Sequence, residues 1–166
     1  TLYIENSTAV FKNNTATRGG AIYLNSSSAT EPSIAVITSG TFEGNSAPNG
    51  TSNGSAVGGP DIAVQYGQLH IGGSVKLNSV RTVANPTEYR GFVKIIKDLE
   101  HPFEIMPIAY REFTGNVENF IKVAEGVNAN NVLEKISVIQ PSSKTYYFEV
   151  VDGNIHLRER AYKITI

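Results

Sequence analysis

Short apolar clusters separated by polar stretches run through the first half of the chain: Leu2/Ile4, Val10/Phe11, Ala21–Leu24, Ile34–Ile37, Phe42, Ile62–Val64, Leu69/Ile71 and Val75/Leu77. Each is too short for a helix and most are β-branched or aromatic, so the pattern predicts strands joined by polar turns. The second half continues with Phe92–Ile96, Phe103–Ile105, Phe120–Val123, Ile136–Ile139, Tyr146–Val151, Ile155–Leu157 and Tyr162–Ile166. Several of these alternate apolar with polar, which predicts strands wet on one side. Asp152-Gly153 between two clusters signals a tight turn. Asn130–Lys135 has room for one helical turn, and its Asn and Val argue against a longer helix.

The clusters recur with a pattern. A tetrapeptide with a large apolar residue first and Asn last appears as Phe11-Lys12-Asn13-Asn14, Phe42-Glu43-Gly44-Asn45 and, degenerately, Val75-Lys76-Leu77-Asn78. Its final Asn positions lie 31 and 33 residues apart. A Gly-Gly pair precedes an apolar cluster between them, as Gly19-Gly20-Ala21-Ile22 and Gly58-Gly59-Pro60-Asp61-Ile62. Self-similarity at such a period is the signature of stacked supersecondary units. In a parallel β-helix the large residue would stack in the core, and the Asn would take the left-handed backbone of a corner and bond the next Asn in the stack. The Gly-Gly pair would allow a bend with positive φ. The polar stretches 25–33 and 46–57 read as loops projecting from one face.

These units resemble the Phe-x-x-Asn and Gly-Gly-Ala-(Ile/Leu/Val) repeats of polymorphic outer membrane proteins, and are similar to right-handed β-helix repeats in other large bacterial surface proteins. The resemblance covers residues 1–78. The second unit departs from it at Pro60-Asp61, and the third lacks Phe. It implies an all-β fold, a right-handed parallel β-helix (a pectin-lyase-like solenoid), as a fragment of a longer protein. It implies a place on the bacterial cell surface or outside the cell, with adhesion or display as the role. The expected organisation is one continuous domain. Residues 1–80 form the rungs, and 81–166 continue the helix or close it with a β cap.

Composition changes the picture in one respect. Residues 1–80 hold only 7 of the 29 charged side chains, while Asn, Ser, Thr and Gly number 38 there. That composition alone suggests disorder, but the repeat assigns it to corners and ladders, where a charge would face its own copy one rung away. With no Cys, a disulfide scaffold, a thiolate metal site and a Cys nucleophile are excluded. A net charge of −1 argues against nucleic acid as the partner. No apolar run is long enough to insert in a membrane as a helix. Opening on Leu2-Tyr3-Ile4 with neither initiator Met nor signal peptide, the chain reads as a segment of something longer. A host-cell protein or glycan is the expected ligand, and flanking repeats of the same chain the expected neighbours.

Candidate chemistry is sparse. β-Helix enzymes build their sites from carboxylates one rung apart, whereas Asp61, Asp98 and Asp152 are not spaced by the repeat and read as solvated surface. His70 and His101 are 31 residues apart, which could set them on neighbouring rungs, but neither they nor His156 has an evident third ligand nearby. No phosphate-binding Gly loop is present. The five Asn-x-Ser/Thr triplets, starting at Asn6, Asn13, Asn25, Asn49 and Asn53, follow from composition. Lys94, Lys97, Arg111, Arg158, Arg160 and Lys163 are interleaved with acids and read as a solvated face. The sequence therefore predicts no catalytic residue, no metal, no cofactor and no enzyme. The residues it singles out are structural: Phe11, Asn14, Gly19, Gly20, Phe42, Asn45, Gly58, Gly59, Val75 and Asn78.

Overall fold

The computed structural model describes residues 1–26, 30–47, 51–52, 55–56, 61–83, 91–108, 116–140 and 145–160. Over these residues the chain is mostly β, with parallel sheets and one short helix. In chain order the strands are β1 (Leu2–Ile4), β2 (Val10–Lys12), β3 (Ile22–Leu24), β4 (Ile34–Ile37), β5 (Thr41–Glu43), β6 (Thr51–Ser52), β7 (Ser55–Ala56), β8 (Ile62–Val64), β9 (Gln68–Gly73), β10 (Ser79–Val83), β11 (Phe92–Leu99), β12 (Phe103–Ile108) and β13 (Val117–Val123). The helix α1 (Ala129–Leu133) follows, then β14 (Ile136–Val138), β15 (Tyr146–Val151) and β16 (Asn154–Glu159).

A first sheet has the order β1-β4-β9-β11-β13-β16-β15, and its first five strands are parallel. A second, wholly parallel sheet has the order β14-β12-β10-β8-β3. A third pairs β2 with β5 and gains a bridge from Thr41 to Lys76. On its first three passes the chain goes from the first sheet to the third and second and back to the first, and from β11 to β15 it alternates between the first and second sheets. Each return sets a strand beside the one laid down on the previous pass. Parallel neighbours require this, since a tight hairpin cannot join them.

Register shows how unequal connections are absorbed. In the first sheet Leu2 pairs with Ala35, Ile34 with Gln68, Phe92 with Gln68 and Val93 with Ile121. In the second sheet Ile22 pairs with Ile62, and Ile62 with Val80. The long first step of that sheet contains the stretch 46–57, including the small antiparallel pair β6–β7. Most of the excess chain is therefore spent between strands, while β11 shifts register against β9 between Ile95 and Leu99, and β13 against β16 between Val117 and Ile121.

The core lies between the sheets. Ile4, Ala35, Ile37, Leu69, Ile71, Val93, Ile95 and Ile121 belong to one buried cluster with Ile22, Leu24, Ile62, Val64, Val80 and Ile105. Strict alternation in β4, with Ala35 and Ile37 buried beside half-buried Ile34 and Val36, is the period-2 pattern of strands wet on one face.

The second half extends both parallel sheets and adds an antiparallel hairpin to the end of the first. Strands β11 to β14 extend the two parallel sheets, and then β15 and β16 form an antiparallel hairpin whose β16 pairs with β13. Asp152 (φ 48°) and Gly153 (φ 74°) form its two-residue turn, both left-handed as a type I′ turn demands. The helical turn is present as α1, capped by the Asn128 side chain, which accepts from the Asn130 amide. Ala129 and Val132 anchor it in the core. The cluster 162–166 and parts of the stretches 25–33 and 46–57 lie outside the described residues.

Candidate functional site

The recurrent tetrapeptide forms a ladder. Phe11 and Phe42 are register partners, with ring centroids 4.7 Å apart and planes 7° from parallel. In the first two units the left-handed corner falls on the third residue, Asn13 (φ 56°) and Gly44 (φ 63°), and not on the final Asn. The final Asn does the bonding. Asn14 donates its backbone N–H (3.1 Å) and its Nδ2 (2.9 Å) to Asn45 Oδ1. Buried Asn45 in turn donates Nδ2 to the Phe11 carbonyl (2.8 Å) and to Asp61 Oδ1 (2.9 Å).

Three expectations are corrected here. Asp61 is not solvated surface: it is 0% exposed and ends the ladder, its Oδ2 accepting the Asn78 backbone N–H at 2.7 Å. Asn78 is exposed and contributes that amide, so a carboxylate takes the place of a third stacked Asn. The third unit is also out of step, because Thr41 bridges Lys76, with Phe42 N donating to Lys76 O at 2.7 Å. That register sets Leu77, and not Val75, beside Phe42. Val75 and Leu77 are both buried, so two side chains fill the space after the aromatic stack.

Gly19 and Gly20 are both buried. Gly19 has φ +57°, and a Cβ there would lie 2.0 Å from the Ile22 carbonyl oxygen; one on Gly20 would lie 2.5 Å from the Ser46 nitrogen. The pair thus permits both a bend and close contact with the next pass of chain. Gly58 and Gly59 lie outside the described residues.

The ionisable groups disperse. Asp98 is exposed on β11, and Asp152 occupies the hairpin turn. His101 is not beside His70. The register partner of His70 is Lys94, whose own partner is Lys122. Among the described residues no three His, Asp or Glu gather to hold a metal ion. Burial, and after it the charge of Lys94, pushes the His70 imidazole below its usual pKa.

Two further arrangements escaped the sequence reading. On the β15–β16 hairpin, Arg158 bonds Glu118 and also Glu149 (2.8 Å), and its Nη2 lies 2.9 Å from His156 Nδ1. Glu118 also contacts that buried histidine. The Arg158 hydrogen bond holds the Glu118 carboxyl below its ordinary range, and the two carboxylates raise the guanidinium in return. On β10, Arg81 is buried with no partner for Nη1 among the described residues, and burial followed by the charge of Arg18 lowers its pKa. Pairing across 40 residues of chain (Glu118 to Arg158) carries no local sequence signal.

Comparison with protein-family models, with curated proteins and with solved structures found no match.

Proposed function

We propose that the chain is a non-enzymatic module of a bacterial surface or secreted protein, wound as a right-handed parallel β-helix and serving adhesion or display. The observation that carries this reading is the Phe11–Phe42 stack with its Asn14–Asn45–Asp61 ladder. Side chains of the kind that could do chemistry are spent there on joining successive passes of chain. The right hand follows from sheet twist, which imposes it on about 98% of parallel crossovers. The resemblance to polymorphic outer membrane proteins adds the surface location.

A polysaccharide lyase or hydrolase of the same winding is the rival reading. It needs two or more carboxylates free to face a substrate, yet both Asp61 oxygens are engaged with Asn45 and Asn78. A passive stalk spacer is the third. The test is attachment of beads coated with the purified chain to cultured host cells, together with incubation on acidic polysaccharides. Saturable attachment with no release of reducing or unsaturated ends is expected. Turnover of any polysaccharide, or attachment no greater than that of albumin-coated beads, would overturn the reading.

A further inference from the structure

Tyr3, Val36, His70, Lys94 and Lys122 are successive register partners on β1, β4, β9, β11 and β13. The residues next to them, Ile4, Ile37, Ile71, Ile95 and Ile121 (one position later in the first four and one earlier in the last), are buried. Side chains alternate along a strand, so the five form a row on the outer face of the first sheet, rooted about 4.8 Å apart.

The basic end of this row is at odds with folding. Like charges directly opposite on neighbouring strands are destabilising. Among the described residues neither Lys94 nor Lys122 is in an ion pair; the nearest sequence acid on β13, Glu118, is taken by Arg158 and His156. The basic groups are also held in place. The Lys122 ammonium sits 4.9 Å from the centre of the Phe92 ring, and His70 meets the same ring edge-on at 6.5 Å. His70 Nε2 lies 3.0 Å from Gln68 Oε1, which fixes the imidazole. At the other end of the row Tyr3 is 64% exposed and offers a flat ring.

We propose that this row binds the anionic groups, sulfate esters or carboxylates, of a linear acidic glycan lying across the strands. The anion relieves the stacked positive charge, and the regular steps of the row suit a chain that carries charge at intervals. Neutral sugar packs against Tyr3. The inference rests on the attachment reading above and names the ligand class behind it.

The test is titration of the full chain with a fluorescent sulfated hexasaccharide, its desulfated but still carboxylated counterpart, and inorganic sulfate. The expected order of affinity is sulfated, then desulfated, then free sulfate. Lys94→Gln with Lys122→Gln should weaken the hexasaccharide at least tenfold and flatten its salt dependence. Lys76→Gln, in the third sheet, should leave it unchanged. Melting temperature is the second readout: removing a like-charge pair should hold or raise it, so lost binding cannot be assigned to misfolding. Equal binding by the double variant, or response to free sulfate alone, overturns the proposal. Cell attachment that persists in the double variant overturns this site while leaving the attachment reading standing. Absence of attachment by the unaltered chain removes that reading as well.

Discussion

Replacing Asn45 by Ala removes the centre of the ladder and leaves its neighbours without partners. Four hydrogen bonds are lost: two accepted from Asn14, one donated to the Phe11 carbonyl and one to Asp61. A neutral bond contributes about 1 kcal/mol net, and a buried acceptor left unsatisfied costs about 1–3 kcal/mol. The acceptor here is a fully buried carboxylate that, among the described residues, keeps only its bond to the Asn78 amide. The bonds to Asn14 lie nearer solvent, and water replaces part of them. The sum is a loss of about 3–5 kcal/mol, which at a urea m-value of about 2 kcal/mol/M lowers the midpoint by about 2 M. Asn14→Ala is the control. It deletes one exposed amide and should cost about 0.5–1 kcal/mol. Urea unfolding followed by far-UV circular dichroism measures both. A loss below about 1 kcal/mol for Asn45→Ala, or equal losses for the two variants, would refute the ladder as the tie between successive passes.

Other perturbations test separate parts of the account. Phe42→Ala empties a buried aromatic site and should cost about 3–5 kcal/mol, against a smaller loss for half-buried Phe11→Ala, both read by chemical denaturation. Gly19→Ala forces a Cβ to within 2.0 Å of backbone oxygen and should cost on the order of 3 kcal/mol. Gly153→Ala, with φ +74° but nothing within 4 Å, should cost only about 1 kcal/mol. Glu118 titrates below its ordinary value of 4.5 because Arg158 bonds it. Its contribution to stability is therefore present above that value and lost as pH falls through the depressed one. Glu118→Gln should flatten the acid limb of a stability–pH profile below about pH 4.5. An unchanged limb would count against the pair.

What the sequence made legible was whatever a few consecutive residues determine. The clusters from Leu2/Ile4 to Ile155–Leu157 read as strands because β-branched and aromatic side chains suit a half-buried pleat. Asp152-Gly153 read as a turn because both residues must be left-handed there. Phe11 and Phe42 could be matched because identical rings occupy identical places in two units. Leu77 could not, because Val75 occupies the expected slot and the choice between them depends on the Thr41–Lys76 bridge. Asp61 was misread for a similar reason. Its burial depends on an amide donor 16 residues earlier and a backbone N–H 17 residues later, and an Asp beside Gly and Pro looks like an ordinary loop residue. Lys94 looked like part of a mixed-charge surface and Lys122 was not singled out, since only strand register reveals that they are neighbours.

The central claim is that the polar first half is laid down in parallel register, pass upon pass. The absence of native Cys allows disulfide trapping to test it directly. Val10→Cys with Thr41→Cys, and Thr41→Cys with Lys76→Cys, place the pairs on adjoining strands, at Cα separations of about 5 Å that a disulfide can span. Thr41→Cys with Ser74→Cys follows the 33-residue spacing of the sequence and separates the Cα atoms by about 8 Å, beyond that reach. Mild oxidation should close the first two pairs and leave the third reduced. Closure of 41–74 in preference to 41–76, or of none of the three, would contradict the account.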